Sequence, residues 1–188
     1  MSAFSNSVIK WQRESGRTDL PWQTNPNPYR VWISEIMLQQ TQVNSVIPYF
    51  NAFMKSFPTI DKLAQCSTDD VLSHWSGLGY YARGRNILKT AIILRDQYSS
   101  NLPCSLVELE TLPGIGKSTA GAIYSLGFNK SAPILDGNVK RVLSRYKRIS
   151  GDLKKTATLN KLWKISEELL PKKNHGTYTQ GIMDLGAT

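Results

Sequence analysis

The sequence predicts an all-α fold of two helical lobes. Three observations carry that expectation. Apolar residues recur at helical spacing over most of the chain, whereas two-residue alternation is weak. Short Pro/Gly/Ser joints ("SFPT", "GLGY", "SSNLPCS", "GFNKSAP") separate these stretches, and closely spaced helices with short connections build helical bundles. The 188 residues, 40% of them hydrophobic, suffice for one large domain or two small lobes with a packed core.

The elements follow in order. "PYRVWISEIMLQQTQV" reads as a helix that is apolar nearly all round, hence buried. "VIPYFNAFMKSF" continues as a second helix with Pro48 near its start. "TDDVLSHWSGL" opens on Thr68 as an N-cap with acidic residues in the first turn. "ARGRNILKTAIILRDQY" sets Ile87, Leu88, Ala91, Ile92 and Leu94 at helical spacing. "SLVELETL" and "GKSTAGAIYSLGF" flank a glycine turn, and "DGNVKRVLSRYKRI" and "ATLNKLWKISEELL" supply two further helices. "YFNAF" and the stripe "LWKISEELL" read as packing, as does Tyr81.

Composition narrows the function. No apolar run reaches the roughly 18 residues of a membrane span, so none is expected. The N-terminus lacks the charged-then-apolar layout of an export signal, which predicts an intracellular protein. Two cysteines in different contexts, Cys66 and Cys104, suggest neither a disulfide framework nor a metal site. The net charge of +9 (23 Lys and Arg against 14 Asp and Glu) favours a polyanionic partner, most simply nucleic acid. A basic helical protein with no such partner is the plain alternative.

The stretch "LPGIGKSTAGAIYSLG" sharpens this. Pro113 can set a tight turn, and Gly114 and Gly116 allow backbone angles other residues avoid. A helix starting at about Lys117–Ser118 would present its first N–H groups, and its dipole, to a phosphate. Such a turn grips the nucleic-acid backbone without reading sequence. An ordinary helix–helix corner is the alternative. Residues 138–155 add Lys140, Arg141, Arg145, Lys147, Arg148, Lys154 and Lys155 against the single acid Asp152, a second surface suited to a DNA backbone.

Two carboxyls stand out. Glu35 lies among Val31, Trp32, Leu38 and Gln39 on its helix, so lost hydration should raise its pKa above the usual ~4.3 and suit it to general-acid work. A surface salt bridge is the commoner fate of a helical Glu. Asp136, before "GNVKRVL", fits an N-cap, which would orient it and hold it ionised.

"LPGIGKSTAGAI" followed by "PILDGNVKRVL" resembles the helix-hairpin-helix of the base-excision glycosylase superfamily that includes endonuclease III. "VWISEIMLQQTQV" and "GLGYYARGRN" sharpen the resemblance to its adenine DNA glycosylases, the MutY family, over essentially the whole chain to "MDLGAT". The resemblance implies a six-helix barrel-type domain over 28–133, with the hairpin at about 108–125. It also implies a second lobe from 1–27 plus 134–188, and a DNA cleft between the two.

It further implies that Glu35 protonates adenine, that Asp136 stabilises the sugar cation or bonds to it transiently, and that Asn138 positions Asp136. Arg17, Trp22, Glu35 and Gln180 would form the adenine pocket, with Ser118 also in the substrate pocket, although many members carry an acid where Gln180 stands. Gln39 and Gln40 would fill the gap left by the flipped base, and Tyr80 would wedge beside the opposing guanine. Leu112, Gly114, Gly116, Lys117, Ser118, Lys140 and Arg141 would meet DNA. Bifunctional relatives carry a lysine where Ser118 stands. A serine cannot form an imine, so base removal without efficient strand cleavage is expected. Lys140 could give only adventitious imine chemistry.

The implied partner is duplex DNA with adenine opposite 8-oxoguanine or guanine, bound by a monomer in a bacterial cytoplasm or in a eukaryotic nucleus or mitochondrion. In the family, four cysteines holding a [4Fe–4S] cluster follow directly after "MDLGAT", and then a C-terminal reader of 8-oxoguanine. Neither lies within residues 1–188, so the chain is expected to be either a truncated piece of a longer protein or a natural fragment, with no metal ligands of its own here. A pyrimidine- or thymine-directed glycosylase on the same scaffold, and a non-catalytic DNA-binding module, are the rival readings.

Overall fold

A computed structural model describes residues 3–188, and among them the regular structure is entirely helical. The helices are α1 (Ala3–Ser15), α2 (Pro28–Leu38), α3 (Val43–Ser56), α4 (Ile60–Ala64), α5 (Thr68–Ser73), α6 (Ala82–Tyr98), α7 (Leu106–Thr111), α8 (Lys117–Ala122), α9 (Gly137–Tyr146), α10 (Thr156–Glu168) and α11 (His175–Ala187). A short 3-10 turn at Pro21–Gln23 precedes α2. No helix among the described residues is long and apolar enough to cross a membrane.

Two apolar cores organise the chain. The larger gathers residues from Leu20 to Ile123, around the fully buried Trp32, Trp75, Phe50 and Phe53. The smaller joins Val8 and Ile9 of α1 to Ala122, Ile134, Leu135, Val139, Leu143, Leu162 and Ile182. Helix α11 packs against both α1 and α9, which closes the second core from chain ends far apart in sequence.

Local chemistry sets the ends. Asn27 caps α2 by accepting from the Arg30 N–H, and Pro28 takes the first helical position, where its missing N–H costs nothing. The α2 helix stops at Leu38, so Gln39–Gln42 form a turn and not the helix surface the sequence suggested. The α3 helix begins at Val43, earlier than expected, which leaves Pro48 inside it; Asn44, whose carbonyl loses its partner, is exposed. The cap of α5 is Ser67 and not Thr68: its hydroxyl accepts from the Asp70 N–H, and Asp70 answers to the Ser67 N–H in a capping box. Tyr81 is 43% exposed and so is not the core residue expected.

The α8 helix widens into a π turn over Ile123–Gly127, a geometry frequent at functional sites. The small residues of "STAGAIYSLG" have a packing role. A Cβ on Gly121 would collide with the carbonyl of Pro133. Ser118 Oγ accepts from the Leu135 N–H at 3.0 Å, and Ser125 Oγ donates to the Ala132 carbonyl at 3.4 Å. From the other side, Ser166 Oγ of α10 donates to the Ile134 carbonyl at 2.8 Å. The segment leading into Asp136 is thereby seated on α8 and α10.

Candidate active site and nucleic-acid interface

Asp136 sits where that seated segment turns into α9. Its Oδ1 accepts from the Val139 N–H at 2.8 Å, the N-cap geometry the sequence indicated. Burial pushes its pKa up from the ordinary value, while N–H groups of Val139 and Asn138 and the charges of Arg141 and Lys140 oppose the rise. The Asn138 side chain does not serve Asp136. Its Oδ1 accepts from the Arg141 guanidinium, which also donates to the Gly186 carbonyl at 2.8 and 3.1 Å.

Glu35 occupies the last turns of α2, next to the buried Val31, Trp32 and Ile36. Part of the residue remains accessible, but its carboxyl is enclosed. That enclosure, and secondly repulsion from Asp136, push its pKa up to about 8. Near neutrality Glu35 therefore keeps its proton, while at Asp136 N–H groups and neighbouring cations work against the rise that burial causes, an asymmetry of the kind that separates the roles of paired carboxyls.

A cleft of about 620 Å³ opens against the face of α2 that carries Val31 and Ser34. It is walled by Arg13, Arg17, Trp22, Gln180, residues of the π turn and the first turn of α11. Arg17, Trp22 and Gln180 are thus brought together as expected for a pocket. Glu35, Asp136, Asn138 and Ser118 are not among its walls, although Val31 and Ser34 of α2 are. Ser118 instead spends its hydroxyl on Leu135.

Sequence reasoning missed the residue that orders this cleft. Asp184 is 2% exposed. It accepts from the Arg17 N–H at 3.1 Å and from the Arg17 guanidinium at 2.5 and 2.9 Å. It also accepts from Gln180 Nε2 at 3.1 Å, which fixes the amide with its nitrogen toward the carboxylate. The Arg17 carbonyl is held by the amides of Gln12 and Gln23 at 3.1 and 3.0 Å. The available signal was the four-residue spacing of Gln180 and Asp184 on one helix. Asp184→Asn is expected to lower stability by on the order of 2 kcal/mol in thermal unfolding, because it leaves a charged group short of its partner. The loss falls short of a fully buried pair's because the Arg17 side chain is 36% exposed and can rehydrate.

The DNA-facing candidates divide. Gly114 has φ +81°, a conformation that favours glycine, but Gly116 at φ −90° is ordinary backbone, which corrects the expectation for it. Leu112 is also corrected: at 3% exposure it anchors the turn in the large core instead of facing a ligand. Lys117 lies with Nζ 4.3 Å from the centre of the Trp163 ring, a cation–π contact between α8 and α10. Gln39 Nε2 reaches Thr119 Oγ1 at 3.5 Å. Gln40 and Tyr80 are exposed, each in the left-handed region (φ 56° and 50°). Arg141, Arg145, Lys147, Arg148, Lys154 and Lys155 are exposed, and Lys140 is half-buried.

A [4Fe–4S] cluster takes four thiolates. Cys66, whose thiol donates to the Lys62 carbonyl, and Cys104, beside Lys130, do not fit such a group. Among the described residues no cluster of three or more His, Cys, Asp or Glu could hold a metal.

A glycine turn between two short helices, an Asp that caps the helix following it and an enclosed Glu with a raised pKa define a helix-hairpin-helix protein of the glycosylase type. The chain belongs to the HhH-GPD superfamily of base excision DNA repair proteins, whose profile matches residues 33–168. It is 54% identical over 185 residues to the adenine DNA glycosylase of Buchnera aphidicola subsp. Acyrthosiphon pisum (strain APS), covering 98% of this chain and 53% of that one. The chain therefore spans about half the length of that relative. In fold it is similar to a thermostable thymine-DNA glycosylase (TM-score 0.85, 23% identity, 98% of this chain and 84% of that one). It is also similar to endonuclease III in a non-covalent DNA complex (TM-score 0.79, 20% identity, 96% and 81%).

Proposed function

We propose that this chain is the catalytic part of an adenine DNA glycosylase that hydrolyses the N-glycosidic bond of adenine opposite 8-oxoguanine or guanine. The observation that carries the reading is the enclosed Glu35 carboxyl, its pKa pushed up to about 8, close enough to the helix-capping Asp136 to feel its charge. The choice of adenine rests on the relatives' names. In this reading the two cores are two lobes, and a monomer grips duplex DNA between them, in a bacterial cytoplasm or a eukaryotic nucleus or mitochondrion.

Glu35 gives its proton to a ring nitrogen of the flipped adenine, and the bond from the sugar carbon to the base breaks with its electron pair on the base. The oxocarbenium-like sugar is stabilised by Asp136, the logic of paired carboxyls in glycoside cleavage. Water adds to the sugar carbon and passes its proton to Glu35, which leaves an abasic site. Arg17, Trp22 and Gln180 hold the base. Ser118 offers no amine for an imine, so the strand stays intact. The Gly114 turn and the cations of 138–155 hold phosphates. Gln40 and Tyr80 enter the stack and offset part of the few kcal/mol that base flipping costs.

The test is single-turnover release of adenine from a labelled duplex, opposite 8-oxoguanine and opposite guanine. Cleavage that appears only after alkali is the expected result, with binding that weakens steeply between about 50 and 200 mM salt. Salt-sensitive binding without release would favour the non-catalytic DNA module. Cleavage without alkali would overturn the monofunctional assignment.

A further inference from the structure

One guanidinium holds together the two exposed loops that carry Gln40 and Tyr80. Arg83, in the first turn of α6, is 9% exposed. Its Nη1 donates to the carbonyls of Ile36 at 2.9 Å, Met37 at 2.8 Å and Gln39 at 2.6 Å. Its Nη2 donates to the carbonyls of Leu78 and Gly79, each at 3.2 Å, and to Thr41 Oγ1 at 3.3 Å. The guanidinium carbon also lies 5.5 Å from the ring centres of both Trp75 and Tyr80.

These acceptors belong to two separate segments. Residues 36–41 end α2 and carry Gln40. Residues 78–79 precede Tyr80, and Gly77, Gly79 and Tyr80 all have positive φ. Loop carbonyls that no helix satisfies must find a donor when buried. Here a single cation serves both loops, and charge-assisted bonds are the stronger kind. The Ile36 and Met37 carbonyls belong to the same helix end as Glu35. The planar fork can span both segments, whereas a lysine ammonium is one compact point and cannot.

We propose that Arg83 is a positioning residue that makes the Gln40 turn and the Tyr80 loop one rigid wedge and ties it to the end of the helix bearing Glu35. Contact with the base opposite the target is then coupled to excision of the target. This rests on the glycosylase reading for its chemistry, but the wedge itself is measurable without catalysis.

The test uses Arg83→Lys in this chain with two duplexes. One places adenine opposite guanine, with fluorescent 2-aminopurine next to the mismatch. The other places adenine opposite a stable abasic analogue, where Tyr80 has no base to wedge beside. The variant is expected to bind both duplexes and to lose the fluorescence rise that reports unstacking. Release of paired adenine should slow by about tenfold or more and release of unopposed adenine by less than about twofold, because misplacing the wedge hurts only where it is needed. Equal slowing on both duplexes, or an intact fluorescence rise, would reduce Arg83 to a structural role and overturn the proposal. Should Arg83→Lys fail to fold, Thr41→Val removes one of the six acceptors and is expected to move the same ratio in the same direction. No change in that ratio would count against the coupling. A wild-type chain that unstacks 2-aminopurine through Arg83 but releases no adenine would sink the glycosylase reading and leave the wedge standing.

Discussion

Replacing Glu35 by glutamine is expected to lower single-turnover base release by about 10²–10⁴-fold, the contribution of a positioned general acid, while DNA binding stays within a few-fold. Glutamine keeps the shape and removes the proton donor. Wild-type release should also fall as pH rises through about 8, where Glu35 loses its proton. Stability falls in the same direction. Because the folded pKa of Glu35 lies above its ordinary 4.5, the folded state holds the proton more tightly than the unfolded chain. Its stability is therefore complete below about 4.5 and declines as pH climbs toward 8. At pH 7 the buried carboxyl costs on the order of 3 kcal/mol, which Glu35→Gln relieves. The variant should thus melt above wild type at pH 8 and level with it at pH 4. Substantial release by the variant would remove Glu35 from the chemistry. A variant no more stable at pH 8 would mean that the carboxyl is hydrated.

The legible parts were those written in local spacing. The α6 helix runs over Ala82–Tyr98 as its apolar repeat indicates, and Asp136 caps α9 because Asp-Gly-Asn before an amphipathic stretch has little else to do. The environment of Glu35 was readable because its helix is apolar nearly all round and therefore buried. What escaped is built from distant segments. The "HGTYTQGIMDLGA" segment has too few large apolar residues to show a period, yet it forms α11, because small side chains let it lie close to α1 and α9. Asp184 meets Arg17 across 167 positions, and Arg83 meets Ile36 across 47. Leu112 and Tyr81 fell on the wrong side of the surface because a turn residue's direction depends on backbone angles that spacing does not encode. The hydroxyl of Ser118 read as the absence of a lysine; its bond to Leu135 gives it a positive task in seating Asp136.

Asp136→Asn separates the two roles that this residue combines. Asparagine caps a helix about as well as aspartate, so α9 should persist and thermal stability should change little. The charge disappears, however, and with it the stabilisation of a developing sugar cation. Release is expected to fall by about 10²–10³-fold, the usual loss when one preorganised electrostatic partner of a transition state is removed. Asp136→Ala should lose the same activity and, in addition, roughly 1 kcal/mol of stability from the missing cap. The residual rate of the Asn variant carries a second signature. Repulsion from Asp136 is the smaller cause of Glu35's raised pKa, and enclosure the larger. Removing the Asp136 charge should therefore move the alkaline fall in rate below about 8 yet leave it above the ordinary 4.5 of a glutamate. An unshifted limb would mean that the two carboxyls do not sense one another. A full rate in Asp136→Asn would leave Asp136 a helix cap and return the sugar cation to solvent.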